Sequence, residues 1–266
     1  MSAAPVLTGV ERAAAAKASG RAVLKVEDVA KSFGGVHAVN GVTFEVREGE
    51  ILGVIGPNGS GKTTLFNCIL GQIEPTRGRV EVDGIDVTNK RPTDLNRLGI
   101  SRTFQLLQVF PKLTVHQNLI LAGQEHVGSK VSRLFGPGDA GLSAKADEMV
   151  GFFQLAHRRD VEAGSLSYGQ QKLLDCAMAF MAGPRIVFLD EPAGGVNLTM
   201  LAILRERLQE LNRTTGATFV VIEHNMDFVM SLCTRLIVLA EGKILAEGDP
   251  ETVRRDQRVI EAYLGN

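Results

Sequence analysis

The chain contains no run of apolar residues near the roughly 18 that a membrane-spanning helix requires. Its longest apolar runs, Ile51 to Ile55 and Ile186 to Leu189, have the length of strands. Any service to a membrane must therefore be given from the membrane surface. An excess of charge is also missing. The 29 Lys and Arg residues against 30 Asp and Glu leave a formal net charge of -1, which argues against broad electrostatic binding to nucleic acid. Cysteine is scarce: Cys68, Cys176 and Cys233 are odd in number and far apart, each within an apolar helical pattern. No pair has metal-ligand spacing, and they read as reduced core thiols. The stretch Met1 to Gly20 is rich in Ala and carries Glu11 and Arg12. Lacking the basic start and apolar core of a secretory signal, it reads as a flexible or loosely helical extension over residues 1–20.

What is present is ordinary for a globular protein. The 266 residues are 44% hydrophobic and 22% charged, enough for one large domain or one domain with an insert. Strand-like runs open the chain at Val23 to Val26 and Val42 to Val46. The second alternates, as a strand with one buried face does. Ile51 to Ile55 is continuously apolar, as a strand covered on both faces is. A Gly-rich turn and an apolar helix from Lys62 to about Leu70 follow, stopped by Gly71. Short strands return at Arg79 to Val82 and Ile100 to Phe104. The region from Leu106 to Gly164 then reads as helices broken by Gly-rich loops. Beyond it, helices at Tyr168 to Ala182, Met200 to Thr214 and Met226 to Leu232 alternate with strands at Ile186 to Leu189, Thr218 to Ile222 and Leu236 to Leu239. This pattern predicts an α/β fold with a mainly parallel sheet. The expected organisation is a core formed by residues 21–105 and 165–266, with a helical subdomain inserted over 106–164.

Three segments carry chemistry. Gly56-Pro57-Asn58-Gly59-Ser60-Gly61-Lys62-Thr63 fits the phosphate-loop pattern without deviation, with a buried strand before it and a helix after it. Its glycines let backbone N–H groups curl inward, and the helix N-terminus adds positive potential for phosphates. Lys62 is placed to reach the β- and γ-phosphates, and the Thr63 hydroxyl to ligate Mg²⁺. Ile186 to Leu189 ends in Asp190 and Glu191, at the carboxyl end of a strand where parallel sheets hold their ligands. Asp190 suits a Mg²⁺ ion, and Glu191 suits a general base that polarises an attacking water. Ser167, in Leu166-Ser167-Tyr168-Gly169-Gln170-Gln171, reads as the N-cap of the next helix.

The phosphate loop, Gln105, Leu166 to Gln170, Asp190-Glu191 and His224 occur in the order found in ABC ATPases, and the chain resembles that family from about Ala22 to Asn266. The resemblance implies a phosphate-loop NTPase core with an antiparallel β subdomain and an inserted α-helical one, binding ATP and Mg²⁺. It makes Gln105 the glutamine that senses Mg²⁺ and γ-phosphate, and His224 the switch histidine at the γ-phosphate. Phe33 becomes the aromatic that stacks on adenine, and nucleotide contacts extend to Val39 and Thr64. Ser167, Gly169 and Gln170 become signature residues that face the nucleotide of a second ATPase subunit, so one chain alone is catalytically incomplete.

Within the superfamily the chain looks most like the branched-chain amino acid uptake ATPases. The stretches that carry this are Phe33 to Val39, Gly99 to Gln105, Val109 to Val115, Glu191 to Asn197 and Ala262 to Gly265. That resemblance implies two integral membrane permeases, a periplasmic or extracellular solute-binding protein, and a place on the cytoplasmic face of a bacterial or archaeal membrane. Motors of urea or amide importers, lipopolysaccharide exporters and soluble ATPases of iron–sulfur cluster assembly stand as alternatives. Leu198 departs from the family's usual Pro, while Leu173 and Met178 stand where Arg is usual. Leu113, Val115, Leu119 and Ile120 are open to two readings, a groove for a permease helix or ordinary core.

Overall fold

The computed structural model of the chain describes residues 20–103, 109–124 and 138–264. Its contacts divide into two compact units, Met1–Leu98 with Gln209–Asn266, and Gly99–Leu208.

The first unit contains an antiparallel sheet in the order β2-β1-β4-β5, formed by β1 (Ala22–Phe33), β2 (Val36–Arg47), β4 (Arg77–Val82) and β5 (Ile85–Asp86). In β2 the residues Val42, Phe44 and Val46 are buried while Thr43, Glu45 and Arg47 are exposed, the alternation visible in the sequence. Both long strands run further than that alternation suggests, because register shifts between Val26 and Val29 and between Val29 and Lys31 break the period. The unit's second group of strands is largely parallel. Here β3 (Ile51–Ile55), buried throughout, lies between β8 (Thr218–Ile222) and β9 (Arg235–Ala240), and β10 (Lys243–Gly248) adds to β9 in antiparallel sense.

Helix α1 (Lys62–Ile69) follows β3. Gly71 ends it at φ 64°, where a Cβ would stand 1.9 Å from the Lys90 carbonyl oxygen, so only glycine fits. After α2 (Pro92–Arg97), the remaining helices of this unit are α7 (Met226–Leu232), α8 (Pro250–Arg255) and α9 (Gln257–Leu264). Neither β10 nor the last two helices was expected from periodicity. Helices of 6 and 8 residues are too short for a helical period to declare itself. The start of α8 is nonetheless well signed, by Asp249, which caps Thr252 N at 3.0 Å, and by Pro250.

The second unit pairs β6 (Ile100–Arg102) in parallel with β7 (Ile186–Asp190). Its helices are α3 (Val115–Gln124), α4 (Gly138–Phe152) and α5 (Tyr168–Phe180). Helix α6 (Leu198–Thr215) begins in this unit and ends in the first. The segment before α3 is held by fully buried Asn118, whose amide donates to the carbonyls of Phe110, Leu113 and Thr114 while its oxygen accepts from Phe110 N. Val115 and Leu119 are fully buried, which makes them core rather than groove, while Leu113 and Ile120 are half-buried. Leu173, in place of the family's usual Arg, is buried as well, a position where an unpaired guanidinium would be costly. Among the described residues no helix is long and apolar enough to cross a membrane.

Candidate functional site

In the first unit, β3 delivers the chain into the phosphate loop. Gly56, Gly59 and Gly61 take φ values of 148°, 77° and 101°, conformations that L side chains rarely adopt. Two of the three are also closely packed. A Cβ on Gly56 would meet the Leu239 carbonyl oxygen at 2.1 Å, and one on Gly61 would meet the Ala38 carbonyl oxygen at 2.2 Å. The loop is therefore gripped from two sides, by the end of β9 and by β2. The turn after β9 completes the grip, with Gly242 N donating to Ser60 O at 3.1 Å and Asn40 N donating to Gly242 O at 2.8 Å.

The Lys62 side chain, 8% exposed, folds over the loop. Its Nζ donates to the carbonyls of Gly56 (2.8 Å) and Pro57 (2.9 Å) and to Ser60 Oγ (3.4 Å). Asn58, Gly59 and Thr63 are exposed, Pro57 and Thr64 half-buried, and Ser60 buried. The arrangement presents a cation, a hydroxyl and a curl of backbone amides at the start of α1, which is the chemistry of a phosphate cradle.

Register places His224 at the neighbouring strand end. Val54 of β3 pairs with Ile222 of β8, so the loop and His224 emerge from adjacent parallel strands. The His224 side chain is 59% exposed, with Nδ1 3.8 Å from Glu223 Oε2. Glu223 itself is fully buried, and the same oxygen accepts from the backbone N–H groups of His224 (2.7 Å) and Asn225 (2.8 Å). A buried carboxylate thus fixes the backbone turn that carries the histidine, a supporting role not read from the sequence.

Phe33 lies at the tip of the β1–β2 hairpin, 49% exposed and paired in register with exposed Val36. Lys31 Nζ stands 5.3 Å from its ring centroid. Val39 is different, since its side chain is buried at 1% exposure. The strand it lies on still comes against the phosphate loop, through the backbone of Ala38. From the C-terminal helix, Tyr263 brings a buried hydroxyl close to the backbone of Gly56, without a hydrogen bond of good geometry. Burial pushes this phenol above its usual range, and the Gly56 amide opposes the shift.

In the second unit, Asp190 is the last residue of β7 and is buried. Its Oδ2 accepts a 2.5 Å charge-assisted hydrogen bond from Arg102 Nη2 at the end of β6. Glu191, half-buried, takes φ 48°, a left-handed conformation that is uncommon for any residue except glycine. Ser167 caps α5 in a reciprocal capping box: Gln170 N donates to Ser167 Oγ at 3.4 Å, and Ser167 N donates to Gln170 Oε1 at 3.0 Å.

This helix start is packed against the turn that follows Glu191 and against the first turn of α6. A Cβ on Gly169 would stand 2.7 Å from Met200 Cγ, and one on Gly195 would stand 2.9 Å from the Tyr168 ring. Ser167, Tyr168, Asn197 and Leu198 remain exposed. The structure therefore joins the signature segment and the Gly195–Asn197 turn in one patch. Gln105 lies outside the described residues.

The family model for ABC transporters matches residues 39–194, and a model for the branched-chain amino acid ATP-binding cassette transporter matches residues 243–266. Over 246 residues, 91% of this chain and 95% of the relative, it is 39% identical to the probable branched-chain amino acid transport ATP-binding protein LivG of Archaeoglobus fulgidus. It is 37% identical over 254 residues to the high-affinity branched-chain amino acid transport ATP-binding protein BraF of Pseudomonas aeruginosa, covering 92% of this chain and 98% of the relative. The fold is similar to the crystal structure of the ADP conformation of MJ1267, an ATP-binding cassette of an ABC transporter, with a TM-score of 0.83 and 36% identity, covering 92% of this chain and all of the other. The chain therefore belongs to the ATP-binding subunits of ABC transporters, in their branched-chain amino acid group.

Proposed function

We propose that this chain hydrolyses ATP to power uptake of branched-chain or related amino acids, docked on the inner face of a membrane. The observation that carries the motor assignment is the phosphate loop, with Lys62 at its centre and His224 on the adjacent strand end. The cargo is supported by the family match over residues 243–266 and by the names of the relatives.

In this reading Lys62 and the amides of residues 56–64 hold the phosphates. Phe33 provides a stacking surface for adenine, and the β2 backbone beside Val39 borders the loop. Glu191 takes the proton of the attacking water, and His224 and Gln105 respond to the γ-phosphate. A Mg²⁺ ion carried by the nucleotide needs only one or two protein oxygens. Each unit by itself offers a hard oxygen ligand of the kind that fits such an ion, the exposed Thr63 hydroxyl in the first and the Asp190 carboxylate in the second. Gln105 would sense the same ion. When bound, the ion neutralises charge developing on the phosphates.

The exposed patch of Ser167, Tyr168, Asn197 and Leu198 suits a second ATPase subunit, with Ser167 facing its nucleotide; of the other two signature residues that the resemblance gives this role, Gly169 is buried and Gln170 half-buried. Dimeric cassettes are known among similar structures, one with a TM-score of 0.74 and 26% identity to this chain. The other partners are two permeases and a solute-binding protein. Affinity purification of the chain from membranes, with mass spectrometry of co-purifying subunits and ligand binding to the associated receptor, tests this reading. Permeases and a receptor that binds leucine, isoleucine or valine are expected; recovery of cluster-assembly proteins alone contradicts it.

A further inference from the structure

The pairing of Arg102 with Asp190 is not explained by packing alone. Arg102 ends β6 and faces Phe188 across the parallel pair, so Asp190 is its diagonal neighbour two residues further along β7. Residues two apart on a strand share a face, and a long side chain spans that diagonal. The guanidinium uses this reach to place Nη2 2.5 Å from Asp190 Oδ2, with side-chain exposures of only 10% and 3%. The backbone beyond Arg102 is also tied to β7, by Thr103 N donating to Phe188 O at 2.9 Å and Asp190 N donating to Thr103 Oγ1 at 3.4 Å. The carboxylate is therefore held in one orientation by a cation on the neighbouring strand.

A guanidinium this close has a second consequence. A divalent cation drawn to Asp190 meets a positive charge already paired with the same carboxylate, in surroundings where water screens poorly. Charge that Arg102 neutralises is charge not presented to the metal. We propose that Arg102 is a positioning residue that both orients Asp190 and competes with the nucleotide-borne divalent cation for it, setting the affinity of the site for that ion. This rests on the reading of Asp190 as a metal-facing carboxylate.

The test titrates Mn²⁺ into the full-length chain with a non-hydrolysable ATP analogue and reads free Mn²⁺ by its paramagnetic resonance signal. Removing the guanidinium charge in Arg102→Met is expected to tighten Mn²⁺ binding about tenfold, within the usual range of coupling between two sites. Arg102→Gln is a second neutral variant that keeps an N–H donor, and it is expected to shift affinity in the same direction. Arg102→Lys restores a charge and should return affinity towards wild type. Thermal unfolding identifies which variants are folded. Unchanged or weaker Mn²⁺ binding in a folded neutral variant, with only the melting temperature lowered, overturns the proposal and leaves Arg102 a structural residue. Asp190→Asn separates the two readings: if it leaves Mn²⁺ affinity untouched, the metal assignment of Asp190 fails, whatever Arg102 does.

Discussion

Lys62 and Glu191 each show, within its own unit, how local geometry prepares a single side chain. Lys62 Nζ makes three hydrogen bonds within its own loop, to Gly56 O, Pro57 O and Ser60 Oγ. Phosphate oxygens would compete for the same donors, and only an ammonium brings charge to them. A hydrogen bond to a charged group contributes about 2 kcal/mol, so Lys62→Ala is expected to weaken ATP binding about thirtyfold. Calorimetric titration checks this, and unchanged affinity would count against the loop as the phosphate site. Glu191 sits at φ 48°, a conformation that costs of order 1 kcal/mol or more in a non-glycine residue. The surrounding turn, with Gly194 N donating to Glu191 O at 3.2 Å, maintains it. Strain of this kind clusters where a side chain must point in one direction, which agrees with a base aimed at a single water.

At the scale of elements, the phosphate loop depends on neighbours far away in the chain. Gly59 and Gly61 both have positive φ, but nothing lies within 4 Å of a Cβ on Gly59, whereas one on Gly61 meets Ala38 O at 2.2 Å. Gly59→Ala should therefore lose about 1 kcal/mol of stability through backbone strain alone. Gly61→Ala should lose about 3 kcal/mol or more, because β2 must also move. Denaturant unfolding of the two variants checks the order, and equal losses would mean that β2 does not brace the loop.

The loop itself, its flanking strand and its helix were legible in the sequence, because all three signals are local: a continuous apolar run, a glycine pattern and a helix stop at Gly71. The bracing by Ala38, Leu239 and Gly242 was not, since it arises from strand neighbours that periodicity cannot pair. The support of His224 by buried Glu223 had only one sequence signal, a carboxylate directly after an apolar strand. Resemblance makes Val39 a ligand contact, yet its side chain is buried and only the strand borders the loop. The ion pair of Arg102 with Asp190 lies 88 residues apart in sequence and becomes visible only once β6 and β7 are paired.

At the scale of the whole molecule, the proposed function needs the chain to act as one half of a pair. The signature segment spends its own hydrogen bonds on capping α5, through Ser167 and Gln170, and leaves Ser167 exposed beside Asn197 and Leu198. A second subunit's nucleotide is the ligand proposed for that patch. Ser167→Arg places a bulky cation there and removes the cap, which costs about 1 kcal/mol of stability. It should leave ATP binding by the single chain intact while preventing ATP-dependent association with the partner subunit. Sedimentation in the presence of ATP reads the result, and normal association would contradict the shared-site arrangement.

The central claim is that ATP is hydrolysed here with Glu191 as the base, and the most direct measurement is phosphate release by the complex that purifies with this chain, comparing Glu191 with Glu191→Gln. The glutamine keeps the size of the side chain and the strain of its backbone but accepts no proton, so ATP binding should persist while turnover falls by about 10²-fold or more. Undiminished phosphate release from the Glu191→Gln complex would contradict the account.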